Sequence, residues 1–309
     1  MMPRFAKLIV ALVVALAVAY GAAQSSPIRV GSKQFTESIV LAKIIKVALE
    51  DAGFEIDDRT PLGGSDVNRA ALLNAEIDVY PEYTGTALGN YLRNEGVELP
   101  EGLTQRAEEG YRFLADYDLE TNGLVWLAPA PANNTYAFAV TRAFAEEHGL
   151  ATVADLARYV NEGNFVMMAS GDEFAQRPDG IAAFERTYGF ELRDDQLLII
   201  AGGTPAQTEQ ALAEGANRVN VAMAFATDGA LAAYDFAVLE DPLGAQPVFQ
   251  PAPVFRADVI EANPTIRDVL DPIFASLDNA TLQELNARVD VDGENPEDVA
   301  RSYVQQGNF

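Results

Sequence analysis

The sequence predicts an α/β protein of two lobes, each built on a mostly parallel sheet flanked by helices. The first observation is length, because 309 residues are more than one hydrophobic core usually organises. The second is the alternation of short β-prone runs with helix-prone runs, which is typical of parallel strands joined by helical crossovers. The third is a pair of turn-rich segments, residues 129–140 and the stretch around Asp241-Pro242, which interrupt this alternation as interlobe crossings would.

These crossings define the expected domain boundaries. Residues 24–131 and 241–309 are assigned to lobe I, and residues 132–240 are assigned to lobe II. Lobe I therefore contains two separate parts of the chain, so two crossing segments are expected to join the lobes at the hinge. The tail of the chain is largely helical in pattern and is expected to pack back on lobe I.

Lobe I is predicted to open with a strand, a loop and a helix. Residues 28–31 form the strand, and Thr36 is expected to be the N-cap of the helix that follows. A weak strand near residues 54–59 and a second helix lead to the strand at residues 77–80. Pro81, which lacks a backbone N–H, is expected to end that strand.

Lobe II continues the same alternation. Its TYAFAV run has the period-two pattern of a half-buried strand, and later apolar runs are separated by helical patterns and turn residues. The predicted strands lie, in order, at residues 135–140, 165–169, 197–200, 219–224 and 236–239.

The first 23 residues are interpreted as a signal peptide. Arg4 and Lys7 precede an apolar run at residues 8–19, which is shorter than the roughly 20 residues needed to cross a bilayer. Gly21 and Ala23 supply small residues before a cut after Ala23. Since the chain contains no cysteine, neither a lipid anchor on cysteine nor a disulfide is expected. We therefore expect a freely soluble, periplasmic protein, with an uncleaved membrane anchor as the alternative.

Composition argues against several classes of function. Forty-six acidic residues against 21 basic ones give a net charge of −25, so nucleic acid is not expected as a partner. With no cysteine and only His148, the chain cannot build a thiol nucleophile or a histidine-rich metal site. We expect no catalytic residues, no metal and no cofactor. A secreted enzyme that uses a pair of carboxylates is the alternative from another class.

The segment EIDVYPEYTGT, residues 76–86, combines features of a ligand site. A buried strand ends there and a helix begins, and small ligands of α/β proteins bind at such strand ends. The helix start can receive an anion, and the ring face of Tyr83 can hold a cation. An acceptor for each charge suits a zwitterion such as a betaine. Simple packing of Tyr83 on a loop is the other interpretation.

Several tyrosines lie in loops or at helix ends that a two-lobe model brings towards the cleft. Each one alone fits a packing role at the edge of a core or at the hinge. As a set they would form an aromatic cage for a quaternary ammonium group, which has no N–H to donate and must be held by ring faces. These residues are Tyr83, Tyr111, Tyr136, Tyr188 and Tyr234.

Six groups of residues along the chain form one recognisable set. They are GSKQFTES (31–38), LLNAEIDVYPEYTGTAL (72–88), ANNTYAFAV (132–140), RPDG and YGF (177–180 and 188–190), ATDGALAAYDFAVLEDP (226–242) and PAPVFR (251–256). Together they cover nearly the whole mature chain and resemble, in the same order, the substrate-binding proteins of osmoprotectant ABC importers for glycine betaine, choline and carnitine.

This resemblance implies a two-lobe periplasmic-binding-protein fold of type II, which closes on its ligand and then docks on an ABC permease in the inner membrane. It also implies a ligand site in which tyrosines surround a trimethylammonium group and polar residues contact the rest of the ligand. The matching ligand-binding residues on this chain are Tyr83, Tyr188, Tyr234, Tyr111, Tyr136, Lys33, Gln34, Thr86, Asn134 and Phe249.

Two features of the resemblance bear on the choice of ligand. A lysine at position 33 suits a carboxylate, which favours betaines over choline. On the other hand, residues 201–212 depart from the family pattern, and Phe249 stands where many relatives carry tyrosine. These departures resemble the stress-induced branch of the family, so an amino acid or a polyamine stays open as the alternative ligand.

Overall fold

The structure, a computed structural model, describes residues 26–307 and contains two five-stranded sheets. The predicted signal peptide, residues 1–23, lies outside the described residues. The strand order is β2-β1-β3-β10-β4 in the first sheet and β7-β6-β8-β5-β9 in the second. The chain passes from the first sheet to the second between β4 and β5, and it returns between β9 and β10.

The strands are short, as expected for parallel strands buried between helices. Their bounds are β1 Ile28–Val30, β2 Ile56–Asp58, β3 Val79–Tyr83, β4 Leu124–Trp126, β5 Tyr136–Thr141, β6 Met168–Gly171, β7 Leu197–Ile200, β8 Val221–Phe225, β9 Phe236–Leu239 and β10 Pro251–Arg256.

Each sheet contains one reversed strand. In the first sheet β1 pairs in parallel with β2 and β3, whereas β10 is antiparallel to β3 and β4. In the second sheet β6 pairs in parallel with β7 and β8, whereas β5 is antiparallel to β8 and β9. Both reversed strands are the first that the chain forms after a crossing. The prediction of mostly parallel sheets flanked by helices is confirmed.

Helices cover both sheets. Their bounds are α1 Thr36–Asp51, α2 Ser65–Leu73, α3 Thr84–Thr86 with its π turn Ala87–Tyr91 and last turn Leu92–Asn94, α4 Ala107–Asn122, α5 Arg142–His148, α6 Val153–Asn161, α7 Asp172–Gln176, α8 Ile181–Tyr188, α9 Pro205–Ala213, α10 Ala230–Ala233, α11 Ala257–Ala262, α12 Ile266–Ala275, α13 Asn279–Asp290 and α14 Pro296–Gln306. Short 3₁₀ turns lie at Leu103–Gln105, Asp194–Gln196 and Ala216–Arg218.

Helix α1 lies between the first sheet and the tail of the chain. The sheet covers its inner face, and the tail helices α12, α13 and α14 pack against it from outside. Val40, Leu41, Ile44 and Ile45 are consequently fully buried. The tail thus packs on the first lobe, whereas the exact domain boundaries at residues 132 and 240 stay a prediction. Within residues 26–307, no helix is both long and apolar enough to cross a membrane.

Two local predictions are wrong. Thr36 is not an N-cap, because Phe35 holds that position without a side-chain bond and the Thr36 hydroxyl donates to Asp290 instead. Pro81 does not end its strand, since β3 continues to Tyr83. Pro81 lies opposite Pro253 of β10, and neither proline has an N–H to lose from the ladder.

Candidate functional site

A cavity of about 410 Å³ lies between the lobes, where the carboxyl ends of several strands face each other. This volume falls within the range of about 300–1,000 Å³ that is usual for small-molecule sites. Its lining comes from the segments after β1, β2, β3, β6 and β7, from the ends of β5 and β8, and from both crossings. The site therefore lies where the α/β topology predicts a ligand.

Five aromatic rings follow one another around this cavity, and we call them the aromatic wall: Phe35, Tyr83, Tyr136, Phe225 and Phe249. The ring centroids lie 5.8 Å apart for Tyr83 and Phe35, 5.2 Å for Phe35 and Phe225, 4.8 Å for Phe225 and Tyr136, and 5.6 Å for Tyr136 and Phe249. Phe174 packs beside Tyr136, with the centroids 4.5 Å apart. Such contiguous ring surface inside one cavity is suited to an apolar or cationic ligand group.

Gly85 makes room for one member of the aromatic wall. A Cβ atom at this position would lie 2.6 Å from Cδ1 of Phe249, which is closer than side chains approach. The glycine of the YTGT motif thus lets the ring of Phe249 lie directly on the backbone of α3. Gly85 is two residues after Tyr83 in the chain, so this contact brings Phe249 to the same turn of the backbone.

Lys33 lies beside the aromatic wall but is not a free cation. Its ammonium donates to Glu82 Oε1 at 2.5 Å and lies 5.0 Å from the ring centroid of Tyr83. Glu82 also accepts from the Tyr83 N–H and from the hydroxyls of Tyr80 and Tyr91. Because an ammonium has three N–H donors, Lys33 keeps donors that a ligand can use.

The opposite lobe contributes negative charge. The Glu173 carboxylate accepts from the Ser65 hydroxyl of the first lobe at 2.7 Å and from Arg177 at 3.3 Å. Burial acts to raise the pKa of Glu173, but the charges of Lys33 and Arg177 and these hydrogen bonds hold it below its ordinary value. The carboxylate is therefore ionised at neutral pH. Asp172 also lines the cavity and accepts from the Gly202 N–H.

The remaining polar groups come from both sides of the cavity. Gln34 lines the cavity while its amide donates across the cleft to the Gly202 carbonyl at 2.9 Å. Thr86 and Asn134 also line it, and both are buried. Burial raises the pKa of Tyr136, so its hydroxyl stays protonated at any physiological pH.

The structure brings seven of the ten residues expected from the sequence to this cavity. They are Tyr83, Tyr136, Lys33, Gln34, Thr86, Asn134 and Phe249. A direct contact between any of them and a ligand stays a prediction.

The other three expected residues do not converge on the cavity. The Tyr188 hydroxyl donates to Asp241 Oδ1 at 2.5 Å and accepts from the Leu243 N–H, so this ring supports a turn. Tyr234 is 47% exposed, and its ring packs on Phe236. The Tyr111 hydroxyl donates to the Leu127 carbonyl at 3.0 Å, at the edge of a separate apolar cluster. Of the expected cage residues Tyr83, Tyr188 and Tyr234, only Tyr83 therefore lines this cavity.

Two members of the aromatic wall were missed. Phe35 belongs to the loop after β1, and Phe225 is the last residue of β8. Both lie at the carboxyl end of a parallel strand, which was the signal available in the sequence. The predicted set contains one phenylalanine, Phe249, and neither of these two.

The fold and the cavity define a ligand-binding protein of the type II periplasmic class, with two sheets that face each other across one cleft. The chain belongs to the family described as the substrate binding domain of ABC-type glycine betaine transport systems, whose model matches residues 26–306. It is accordingly a transport receptor rather than an enzyme, and such receptors act outside the cytoplasm.

Individual relatives agree with this family. The chain is 42% identical over 295 residues to the glycine betaine-binding protein YehZ of Escherichia coli, covering 96% of this chain and 95% of the relative. It is 35% identical to a glycine-betaine-binding protein of Pseudomonas aeruginosa, with coverage of 93% and 90%. The solved structure of unliganded YehZ from Escherichia coli superposes with a TM-score of 0.68 at 43% identity, covering 92% of this chain and 99% of that one.

A more distant structure supports the fold alone. The crystal structure of a glycine betaine/carnitine/choline ABC transporter protein matches with a TM-score of 0.72 at 22% identity. The match covers 90% of this chain and 98% of that chain. The two-lobe architecture is thus shared well beyond recognisable sequence similarity.

Proposed function

We propose that this protein binds a quaternary ammonium osmoprotectant of the betaine type within the aromatic wall and delivers it to an ABC permease. The observation that carries the proposal is the set of five contiguous rings beside an anchored lysine in one interlobe cavity. A quaternary nitrogen has no hydrogen to donate, so its recognition depends on ring faces and nearby negative charge. The wall supplies the faces, and Glu173 supplies the charge.

The other end of a betaine is a carboxylate, and the first-lobe side offers it donors. Lys33 is held in place by Glu82 and keeps N–H groups for a ligand. Thr86 and Gln34 add polar groups on the same side of the cavity. A ligand with both charges is favoured over choline, because a bare cation would gain nothing from Lys33. The printed names of the two relatives above, both glycine betaine-binding proteins, support this choice.

The proposal also includes export to the periplasm. It rests on the charged start and apolar run of residues 1–23, which have the form of a signal peptide. N-terminal sequencing of the protein recovered from the periplasm should begin at Gln24. An N-terminus at Met1 in that fraction would contradict this part of the proposal.

Isothermal titration of the purified protein with glycine betaine, proline betaine, carnitine and choline tests the ligand. We expect one site per chain, tighter binding of the betaines than of choline, and recovery of the ligand chemically unchanged. Silence from all four solutes would refute the substrate assignment. A thermal-shift screen of amino acids and polyamines on the same sample would then test the alternative ligands, since ligands of the folded form raise the melting temperature.

A further inference from the structure

A buried carboxylate lies behind the aromatic wall and outside the cavity lining. Glu37, in the first turn of α1, is 1% exposed, and its two oxygens accept four hydrogen bonds. Burial raises the pKa of Glu37 above its ordinary value, and these four hydrogen bonds limit that shift. A buried carboxylate that loses a hydrogen-bond donor destabilises the conformation that buries it, so this arrangement depends on all of its donors.

The two oxygens face different parts of the molecule. Oε1 accepts from the Tyr83 hydroxyl at 2.9 Å and from the Asn134 amide at 2.8 Å, and both of these residues line the cavity. Oε2 accepts from the Thr227 hydroxyl at 2.5 Å and from the Asn286 amide at 3.0 Å. Thr227 follows β8 of the second sheet, whereas Asn286 belongs to α13, which packs on the first lobe.

The Oε2 side is part of a close joint between the lobes. The segment 226–229 of the second lobe lies directly against α13. Asn286 donates to the Thr227 carbonyl at 2.9 Å, and Gln283 donates to the Ala226 carbonyl at 2.9 Å. A Cβ atom at Gly229 would lie 2.1 Å from the Ala287 backbone nitrogen, so only glycine allows this approach. The ATDG motif thus forms the second-lobe half of the joint.

We infer that Glu37 is a positioning residue that couples ligand binding to lobe closure, an inference that rests on the proposed function. Closure brings the Thr227 hydroxyl to Oε2, and this completes the set of donors that keeps the carboxylate facing Tyr83 and Asn134. A ligand that needs the Tyr83 ring in this orientation consequently favours the closed lobes. By linkage, the joint and the ligand stabilise each other to the same extent.

Thr227→Val is the direct test, because valine keeps the shape of threonine and removes only the hydroxyl. Loss of a hydrogen bond to a charged group corresponds to roughly tenfold or more in an equilibrium constant. We expect glycine betaine to bind about tenfold more weakly to Thr227→Val, as measured by isothermal titration. Thr152→Val is the matched control, since Thr152 caps α6 by a side-chain bond and makes no contact with the cleft.

A second experiment measures the distance between the lobes in the absence of ligand. Since the chain has no cysteine, Glu108→Cys and Arg193→Cys place one spin label on each lobe, at side chains that are 76% and 69% exposed. Pulsed electron resonance then gives the distance distribution between the labels. We expect Thr227→Val and Glu37→Gln to shift or broaden this distribution relative to wild type, whereas the control Thr152→Val should leave it unchanged.

The outcomes separate this inference from the proposed function. Unchanged distances in both Thr227→Val and Glu37→Gln would overturn the coupling role whether or not a betaine binds. Changed distances with unaltered affinity would overturn it as well, because the two events would then be independent. In the Tyr83→Phe, Thr227→Val double mutant, the combined loss of affinity should be smaller than the product of the single losses. A full product would show that the two side chains act separately.

Discussion

Replacing Tyr136 with leucine removes one aromatic face from the cavity and keeps an apolar side chain in its place. Tyr136 is 7% exposed, and its ring lies between those of Phe225 and Phe249. A desolvated cation–π contact is worth about 1–2 kcal/mol. Since 1.4 kcal/mol corresponds to a factor of ten, Tyr136→Leu should weaken glycine betaine binding by roughly 5- to 30-fold.

Tyr136→Phe is the matched variant, because it keeps the ring and loses only the hydroxyl. We expect its affinity to stay within about threefold of wild type, since phenylalanine offers a similar ring face. Tyr234→Leu is the remote control, as this ring is 47% exposed and distant from the cavity. Isothermal titration of the folded variants at one salt concentration measures all three.

Two results would refute this reasoning. Binding to Tyr136→Leu within about twofold of wild type would show that the ring face contributes less than a cation–π contact requires. Equal losses in Tyr136→Leu and Tyr136→Phe would assign the effect to the hydroxyl instead. In either case Tyr136 would have to be removed from the account of the cation site.

Three further predictions concern the surroundings of the site. Gly85→Ala places a carbon 2.6 Å from Phe249, so the ring must move. Overpacking of this kind costs about 1 kcal/mol or more, so titration should show that betaine affinity falls at least about fivefold. Burial and the nearby Asp290 raise the pKa of Glu209 to about 8 from an ordinary 4.5. The melting temperature should therefore fall as the pH rises from 5 to 9, and scanning fluorimetry should show a weaker dependence on pH in Glu209→Gln. Asp118→Ala removes both hydrogen bonds that the buried Arg69 donates to a carboxylate and leaves it only Glu95, at 3.9 Å. The free energy of unfolding should fall by about 3–5 kcal/mol in urea unfolding followed by fluorescence of Trp126.

Each of these has a clear contrary result. Wild-type affinity in Gly85→Ala would show that Phe249 is not part of the ligand site. The sign of the pH effect follows from the raised pKa of Glu209 in the folded state. At low pH the folded protein keeps a proton on Glu209 that favours folding, and this contribution to stability is lost as the pH rises towards 8. A melting temperature that rises over the same range, or an unchanged slope in Glu209→Gln, would contradict it. An Asp118→Ala variant as stable as wild type would show that the Arg69 pair is replaceable.

The fold was largely readable from the sequence because each local pattern agreed with the global topology. Strands and helices alternate, and turn residues mark both crossings. The end of β3 could not be predicted from the sequence. Pro81 lies within the strand opposite Pro253, a residue far along the chain. The cap of α1 was misassigned for a similar reason, since the Thr36 hydroxyl is used by Asp290 from the tail.

The site was readable only in part. Tyr83 and Tyr136 lie on strands, whose alternation and termini fix the direction of a side chain. Tyr188 ends a helix and Tyr234 follows one, and at such positions sequence alone does not show whether a ring faces the cleft or the surface. Phe35 lies in a loop five residues after β1 ends, where the sequence does not show which way a ring faces, although a ring without a hydroxyl can hold a cation as well as tyrosine can.

The central claim is that the positive charge of a methylated nitrogen is recognised inside the aromatic wall. Glycine betaine and 3,3-dimethylbutanoate have nearly the same shape and the same carboxylate, but the second carries carbon in place of the charged nitrogen. Titration of both against the wild-type protein isolates that charge. The account predicts that glycine betaine binds at least about tenfold more tightly, on the scale of a desolvated cation–π site. Equal affinities, or tighter binding of 3,3-dimethylbutanoate, would contradict it.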